Sequence, residues 1–246
     1  MKRKVFIVAI VLVVFCACFY FYNNSSYLVL SKLPKNAEFS LGKLTYRVYL
    51  FGLFPVAQAQ INFENKKEYQ GREVYYLSAS AESLKIISNL FYASASSESY
   101  INIEDNNPVF FRQKIIVKGK ADVVKEARYD QKNGIMIIND VKREILPNTQ
   151  DALSAIFNLR RMDFNVIKDF EIVLNTNQKN YVLKGVSELK DGLVLLKGDI
   201  RRKDKNNPYH RSQIGMVLLP EKGNLPVSIK VFASGILITA KLIKSE

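Results

Sequence analysis

Beyond about residue 40 the chain alternates apolar and polar residues over most of its length, and short turns separate the alternating runs. Successive side chains of a strand point to opposite faces, so this pattern builds sheet. In "KLTYRVYLFG" the set Leu44, Tyr46, Val48 and Leu50 shares one face, and "VAQAQINFE" repeats the device. "REVYYLSASAES" and "ASASSESYINIE" carry small residues between serines. Further runs follow as "VFFRQKIIVKG", "ADVVKEARYDQ", "GIMIIND", "KREIL", "FEIVLNT", "NYVLKGVSEL", "GLVLLKGDIRR", "QIGMVLLP", "PVSIKVFA" and "GILITAKLIK". Asn133-Gly134 and Asp191-Gly192 are hairpin signals, "KDKNNPYH" is a polar loop and "PEKGNLP" a turn. About a dozen strands joined by such short connections favour antiparallel pairing over parallel crossovers.

Two segments break the alternation. In "SLKIISNLFY" Leu84, Ile87, Leu90 and Phe91 recur at helical spacing, which predicts a helix near 83–92 with Ser83 at its cap. "PNTQDALSAIFNLRRMDF" predicts a helix over 149–161. Asn148 or Thr149 would cap it and Asp151 would sit in its first turn, where the helix dipole favours an acid. Leu153, Ile156 and Phe157 form an apolar stripe to face the sheet, and Arg160 and Arg161 fall at the C-terminal end, with Arg160 expected to pair locally on the surface. The expected fold is therefore mainly β: one strongly curved antiparallel sheet or half-barrel over residues 41–246, with one or two short helices packed on it and an N-terminal membrane helix.

That membrane helix rests on the opening residues. Lys2, Arg3 and Lys4 precede an unbroken apolar or aromatic run over residues 5–22. Eighteen helical residues cover about 27 Å, close to the hydrocarbon thickness of a bilayer. The basic head favours a cytoplasmic N-terminus with the remainder exported. The run reads as an uncleaved signal anchor, with a cleaved secretory signal as the alternative. A lipid-modified Cys18 is a third reading, poorly served by Phe15. Residues 23–40 form a spacer. The expected location is the inner membrane with the domain in the periplasm, or the periplasm and envelope after cleavage.

Cys16 and Cys18, the only two cysteines, lie in the apolar run, so the exported part has no disulfide, zinc-thiolate site or thiol nucleophile. Enzymatic patterns are equally sparse. His210 is the only histidine and lies in a polar loop, and no motif places a serine for a triad with it. Glu104-Asp105 reads as a turn without the spacing of a calcium loop. The 11 glycines are scattered and form no phosphate cradle. No catalytic residue, metal ligand or cofactor is nominated.

Of the 36 basic residues, the 33 outside the N-terminal head still exceed the 23 acids by ten. In an exported chain this excess suits anionic lipid or anionic glycan rather than nucleic acid. The densest cluster, Arg201, Arg202, Lys203 and Lys205, is the candidate anionic-surface contact.

Asp151-Ala152-Leu153-Ser154 followed by Leu159-Arg160 resembles the central signature of domain-of-unknown-function family 3108, a family of exported bacterial envelope proteins. "LGKLTYRVYLFGLFPVAQAQI" resembles its opening strands, with Leu41-Gly42 where the family has Gly-Glu. Pro226-Val227 and Gly235 are similar to its closing hairpin, so the resemblance spans about 40–244. It implies a β-rich periplasmic domain related to the curved half-barrels of lipoprotein carriers, and brings no catalytic residues. The expected function is a non-enzymatic envelope domain binding an apolar or amphiphilic ligand, or an envelope partner protein. The alternatives are a carboxylate-dependent glycan or lipid hydrolase, and a structural module of an envelope complex.

Overall fold

Each alternating run becomes a strand, and the turns between them follow from local backbone chemistry. The computed structural model describes residues 42–89, 91–176, 179–203 and 212–246. The N-terminal segment 1–22 with both cysteines, the spacer 23–40, Leu41, Leu90, Lys205 and His210 lie outside the described residues. No helix of the described residues is long and apolar enough to cross a membrane.

The first half comprises β1 (Lys43–Leu50), β2 (Phe54–Tyr69), β3 (Arg72–Ser83), a one-turn helix α1 (Lys85–Ser88), β4 (Ala93–Asn102) and β5 (Pro108–Val117). It continues with β6 (Val123–Asp130), β7 (Ile135–Ile138) and β8 (Val141–Glu144). After helix α2 (Ala152–Arg161) come β9 (Asp169–Thr176), β10 (Lys179–Lys190), β11 (Leu193–Arg202) and β12 (Ser212–Leu219). A 3-10 turn at Pro220–Lys222 leads to β13 (Leu225–Ala233) and β14 (Ile236–Ser245).

All fourteen strands join one sheet in the order β8-β7-β6-β5-β4-β3-β2-β1-β14-β13-β12-β11-β10-β9. Every neighbouring pair is antiparallel. Four two-residue turns have both residues at positive φ: Gln70-Gly71, Asn139-Asp140, Asp191-Gly192 and Ser234-Gly235. Such turns match the right-handed twist of the strands they join. The Asn133-Gly134 signal also marks a hairpin, although its loop takes four residues between β6 and β7.

The chain pairs its ends, β1 with β14, at the middle of the sheet, so the sheet's edges are β8 and β9. These edges do not pair with one another, and the sheet is not closed. The segment between them stitches the gap instead. Gln150 N donates to Val173 O at 2.8 Å and Gln150 O accepts from Asn175 N at 2.9 Å, a single parallel bridge onto β9. Asn180 Nδ2 on β10 donates to Glu144 O at 3.3 Å, tying β8 to the strand beside the far edge.

The core lies on both flanks of α2. Leu153 and Phe157 pack with Leu44, Tyr46, Ile61, Phe63, Leu77 and Ile101 from the β1–β4 half. Ala155 and Leu159 pack with Phe164, Phe170, Leu174, Leu183, Leu196 and Leu218 from the β9–β12 half. In the second half a ring lies directly on the sheet: a Cβ at Gly185 would sit 2.3 Å from the Phe170 ring. Only glycine permits this approach. Phe164 meets Phe170 edge-on at 6.5 Å, extending the same contact.

Two local expectations are corrected. α1 spans one turn, buries no residue, and leaves Ile86 78% exposed. Ser83 does not cap it: its hydroxyl donates to Ala93 O and accepts from Ala93 N, closing β3 onto β4. Helix α2 starts later than 149 and is capped by Asp151. Asn148 takes a left-handed φ of 57°, and Thr149 Oγ1 donates back to Leu146 O, so neither is placed to cap.

Candidate functional site

The family-like residues converge on the head and tail of α2. Asp151 Oδ1 accepts from Leu153 N at 2.8 Å and Ser154 N at 2.9 Å, while Ser154 Oγ returns to accept from Asp151 N at 2.9 Å. This reciprocal cap satisfies helix N–H groups that would otherwise be buried without partners. Asp151 Oδ2 accepts from Ser99 Oγ on β4 at 2.7 Å, pinning the helix head to the sheet. Burial pushes the Asp151 carboxyl above its ordinary value, against the opposing pull of its hydrogen bonds. The buried Tyr129 phenol is raised by desolvation first and then by the Asp151 charge.

The tail is just as enclosed. Asn224 Nδ2, in the β12–β13 connection, donates to Arg160 O at 2.9 Å and Met162 O at 2.8 Å. Arg160 is 9% exposed and its guanidinium lies 4.2 Å from the centre of the Phe63 ring. The expected surface position of Arg160 is therefore corrected. Burial holds its guanidinium below the ordinary value, and the neighbouring Tyr46 acts in the opposite sense. Tyr46 is itself raised by burial, and its hydroxyl donates to Pro226 O at 2.8 Å. Leu153 and Phe157 are buried as expected, while Ile156 is only half-buried.

An amide network fixes the segment that leads into the helix. Gln150 Nε2 donates to Asn107 Oδ1 at 2.8 Å, and Asn158 Nδ2 donates to Gln150 Oε1 at 2.9 Å. Gln131 Nε2 donates to Thr149 O at 2.7 Å. Asp151, Leu153, Ser154, Leu159 and Arg160 are all buried, and each has a packing or capping task. With α2 they form a plug on the sheet.

The opposite end of the strands differs. There lie the β1–β2, β3–β4, β5–β6 and β13–β14 connections, because antiparallel neighbours reverse at each turn. Tyr46 in the core pairs with Leu242, so Val48 and its partner Ala240, two residues on, share the inner face. The same parity carries to Ile238 and Ile236, and across β13, β12 and β11 to Val231, Ile214 and Ile200. On β6 it carries from buried Ala127 to Val123. Toward the rim these inner residues lose their cover, although Ile200 and Ile214 still pack against the edge of the core. Ile236, Ile238 and Val123 are 43–45% exposed, and Val231, Ile214 and Ile200 are half-buried. The rim turns add Phe51, Leu53, Phe54, Ile86 and Phe91, each 44% exposed or more. The alternation held this signal, but only the register shows which apolar residues lie beyond the plug.

A groove of about 360 Å³ lies along β2–β5, lined by Gln58, Gln60, Ser80, Ser94, Ser96 and Lys114 among others. Glu82 is its one carboxylate, where a two-acid glycosidase needs a pair. Among the described residues no cluster of three or more His, Cys, Asp or Glu could hold a metal ion. Of the basic cluster, Arg201 pairs with Asp199 at 3.6 Å on β11, Arg202 is half-buried and Lys203 is exposed.

No family model matches the chain, and no curated protein does. A match among solved structures is the crystal structure of a β-barrel-like protein of domain of unknown function DUF1849 from Brucella abortus. It has a TM-score of 0.57 at 11% identity and covers 82% of this chain and 95% of that one. The likeness defines a class by fold alone: a β-barrel-like antiparallel protein of mostly strand.

Proposed function

We propose that this chain is a non-enzymatic cell-envelope protein that holds an apolar or amphiphilic ligand against the inner wall of its curved sheet. The observation that carries this reading is the exposure of Ile236, Ile238 and Val123, at 43–45%, on the face that elsewhere forms the core. Burying such a wall against an acyl chain would gain about 25 cal/mol per Å² of apolar surface. The rim supplies Phe51, Phe54 and Phe91 beside Lys85, Lys118 and Lys120, a combination suited to an anionic bilayer surface. Residues 5–22 would anchor the chain, in keeping with the family 3108 resemblance of Asp151–Ser154 and Leu159-Arg160.

Native mass spectrometry of the detergent-extracted full-length chain tests the reading. Co-purified lipid is expected, and Ile236→Asp/Ile238→Asp should lose it while keeping the wild-type melting temperature. A wild-type protein that retains no lipid and quenches no fluorescent fatty acid would sink the proposal. The location has its own test: alkaline phosphatase fused after Glu246 should be active.

A further inference from the structure

The outer face of the sheet carries a feature unrelated to the ligand wall. Arg47 on β1 is directly opposite Lys241 on β14, and on its other side Arg47 faces Gln58 of β2. Thr239, two residues before Lys241, is opposite Lys230 on β13, and Lys230 is opposite Gly215 on β12. Inner-facing Ala240 and Leu242 fix the parity, so Thr239, Lys241, Lys230 and Arg47 all point outward. On the β2 side the first carboxylate of the row is Glu82 on β3, beyond Gln58; among the described residues no carboxylate pairs with Arg47, Lys230 or Lys241, and Lys241 Nζ lies 5.1 Å from the centre of the Tyr49 ring. Asp199, farther along the face on β11, is engaged by Arg201 and Gln213.

Three half-buried cations on adjacent strands repel one another, a cost that an anion between them would remove. Burial, and then Lys241, hold the Lys230 ammonium below its ordinary value. A second observation points to a ligand. Thr239 is 1% exposed, yet its Oγ1 has no hydrogen-bond partner. A buried hydroxyl left in this state costs about 1–3 kcal/mol. The β1–β2 turn approaches this hydroxyl: a Cβ at Gly52 would sit 3.9 Å from Thr239 Oγ1. Gly215 leaves the floor beside Lys230 bare of side chain, a Cβ there falling 3.9 Å from Lys230 Cβ.

We infer that Arg47, Lys230, Lys241 and the Thr239 hydroxyl form a binding site for a phosphate-class oxyanion on the outer face of β1, β14 and β13. Arg47 offers a planar fork to two oxygens, the lysines supply point charges, and Thr239 donates its otherwise unused hydrogen. The phosphate could belong to a phospholipid headgroup or to a soluble phosphate, and the two sources are separable.

The full-length chain is titrated with inorganic phosphate by calorimetry, and with vesicles of phosphatidylglycerol or phosphatidylcholine by sedimentation. Saturable binding is expected, weakened at least tenfold in Lys230→Gln/Lys241→Gln and severalfold in Thr239→Val. Thr239→Val keeps the volume of the buried side chain and guards against misfolding. Lys66→Gln, at an exposed pair with Glu73, serves as the control and should bind as wild type does. Binding of phosphatidylglycerol vesicles alone assigns the site to a headgroup, and binding of inorganic phosphate assigns it to a soluble ligand. No binding of either probe, or binding equal in wild type and both variants, overturns the inference. Because the ligand wall is on the other face, loss of lipid retention in the Ile236/Ile238 variant leaves this outcome unaffected.

Discussion

Arg160 brings a full charge against the Phe63 ring inside the β1–β4 half of the core. Truncation to Ala removes that stack and leaves a void, so the cost should exceed the ~0–1 kcal/mol of an exposed ion pair and reach about 2 kcal/mol or more. Arg160→Met tests whether shape or charge matters, because an apolar side chain of similar volume often replaces a buried ion without loss. Urea denaturation should show Met restoring most of what Ala loses; equal losses would mean the charge itself is needed. Asp151 allows a pH experiment. Its carboxyl is raised in the folded state, chiefly by burial, so the native protein holds the proton more tightly than the unfolded chain. Its contribution to stability is then full below about pH 4 and declines as pH rises through the folded value. Asp151→Asn, which keeps an oxygen to accept the Leu153 and Ser154 N–H groups, should lack that decline. Identical pH profiles of melting temperature for both proteins would refute this.

At the level of elements, α2 was legible as a helix that packs on the sheet, and α1 as a longer helix was not. The stripe of Leu153 and Phe157 found a wall to pack on, whereas Leu84 and Ile87 are only half-buried and Phe91 is 55% exposed. Periodicity reports which residues could share a face; burial depends on what the rest of the chain places opposite. The cap of α2 escaped notice because Asn148 and Thr149 are also good cap residues, and the choice was made by the tertiary contact of Asp151 to Ser99 and the local turn of Thr149 back to Leu146. Phe157→Ala should therefore cost about 3–5 kcal/mol as a core truncation. Asn224→Ala deletes two hydrogen bonds to the helix tail and should cost about 1–3 kcal/mol. Ile86→Glu should stay within about 0.5 kcal/mol of wild type. A large loss on Ile86→Glu in thermal melts would show that α1 has a packing role the structure does not give it.

For the whole molecule, the number and antiparallel pairing of the strands could be read from alternation and turn residues, because those rules act locally. The pairing of β1 with β14 and the amide seam at Gln150 could not, since they join residues far apart in sequence. The seam and the plug lead to a last prediction. The sheet's two edges do not pair, and a fourteen-stranded open sheet could unfold as two parts, β1–β8 and β9–β14. Three features oppose that. β1 and β14 join the N-terminal and C-terminal strands along seven residue pairs. Helix α2 packs on Leu44 and Ile101 with one flank and on Leu174 and Leu183 with the other. Gln150 ties β9 to the β4–β5 connection through Asn107. Each half thus completes its core with the same ten-residue helix, and neither can lose it without exposing the other. Urea unfolding should follow one transition by both tyrosine fluorescence and far-ultraviolet dichroism. Phe157→Ala, in the first half's cluster, should shift that transition as a whole. Two transitions, or a shift confined to one probe, would show that the halves fold apart and that α2 belongs to only one of them.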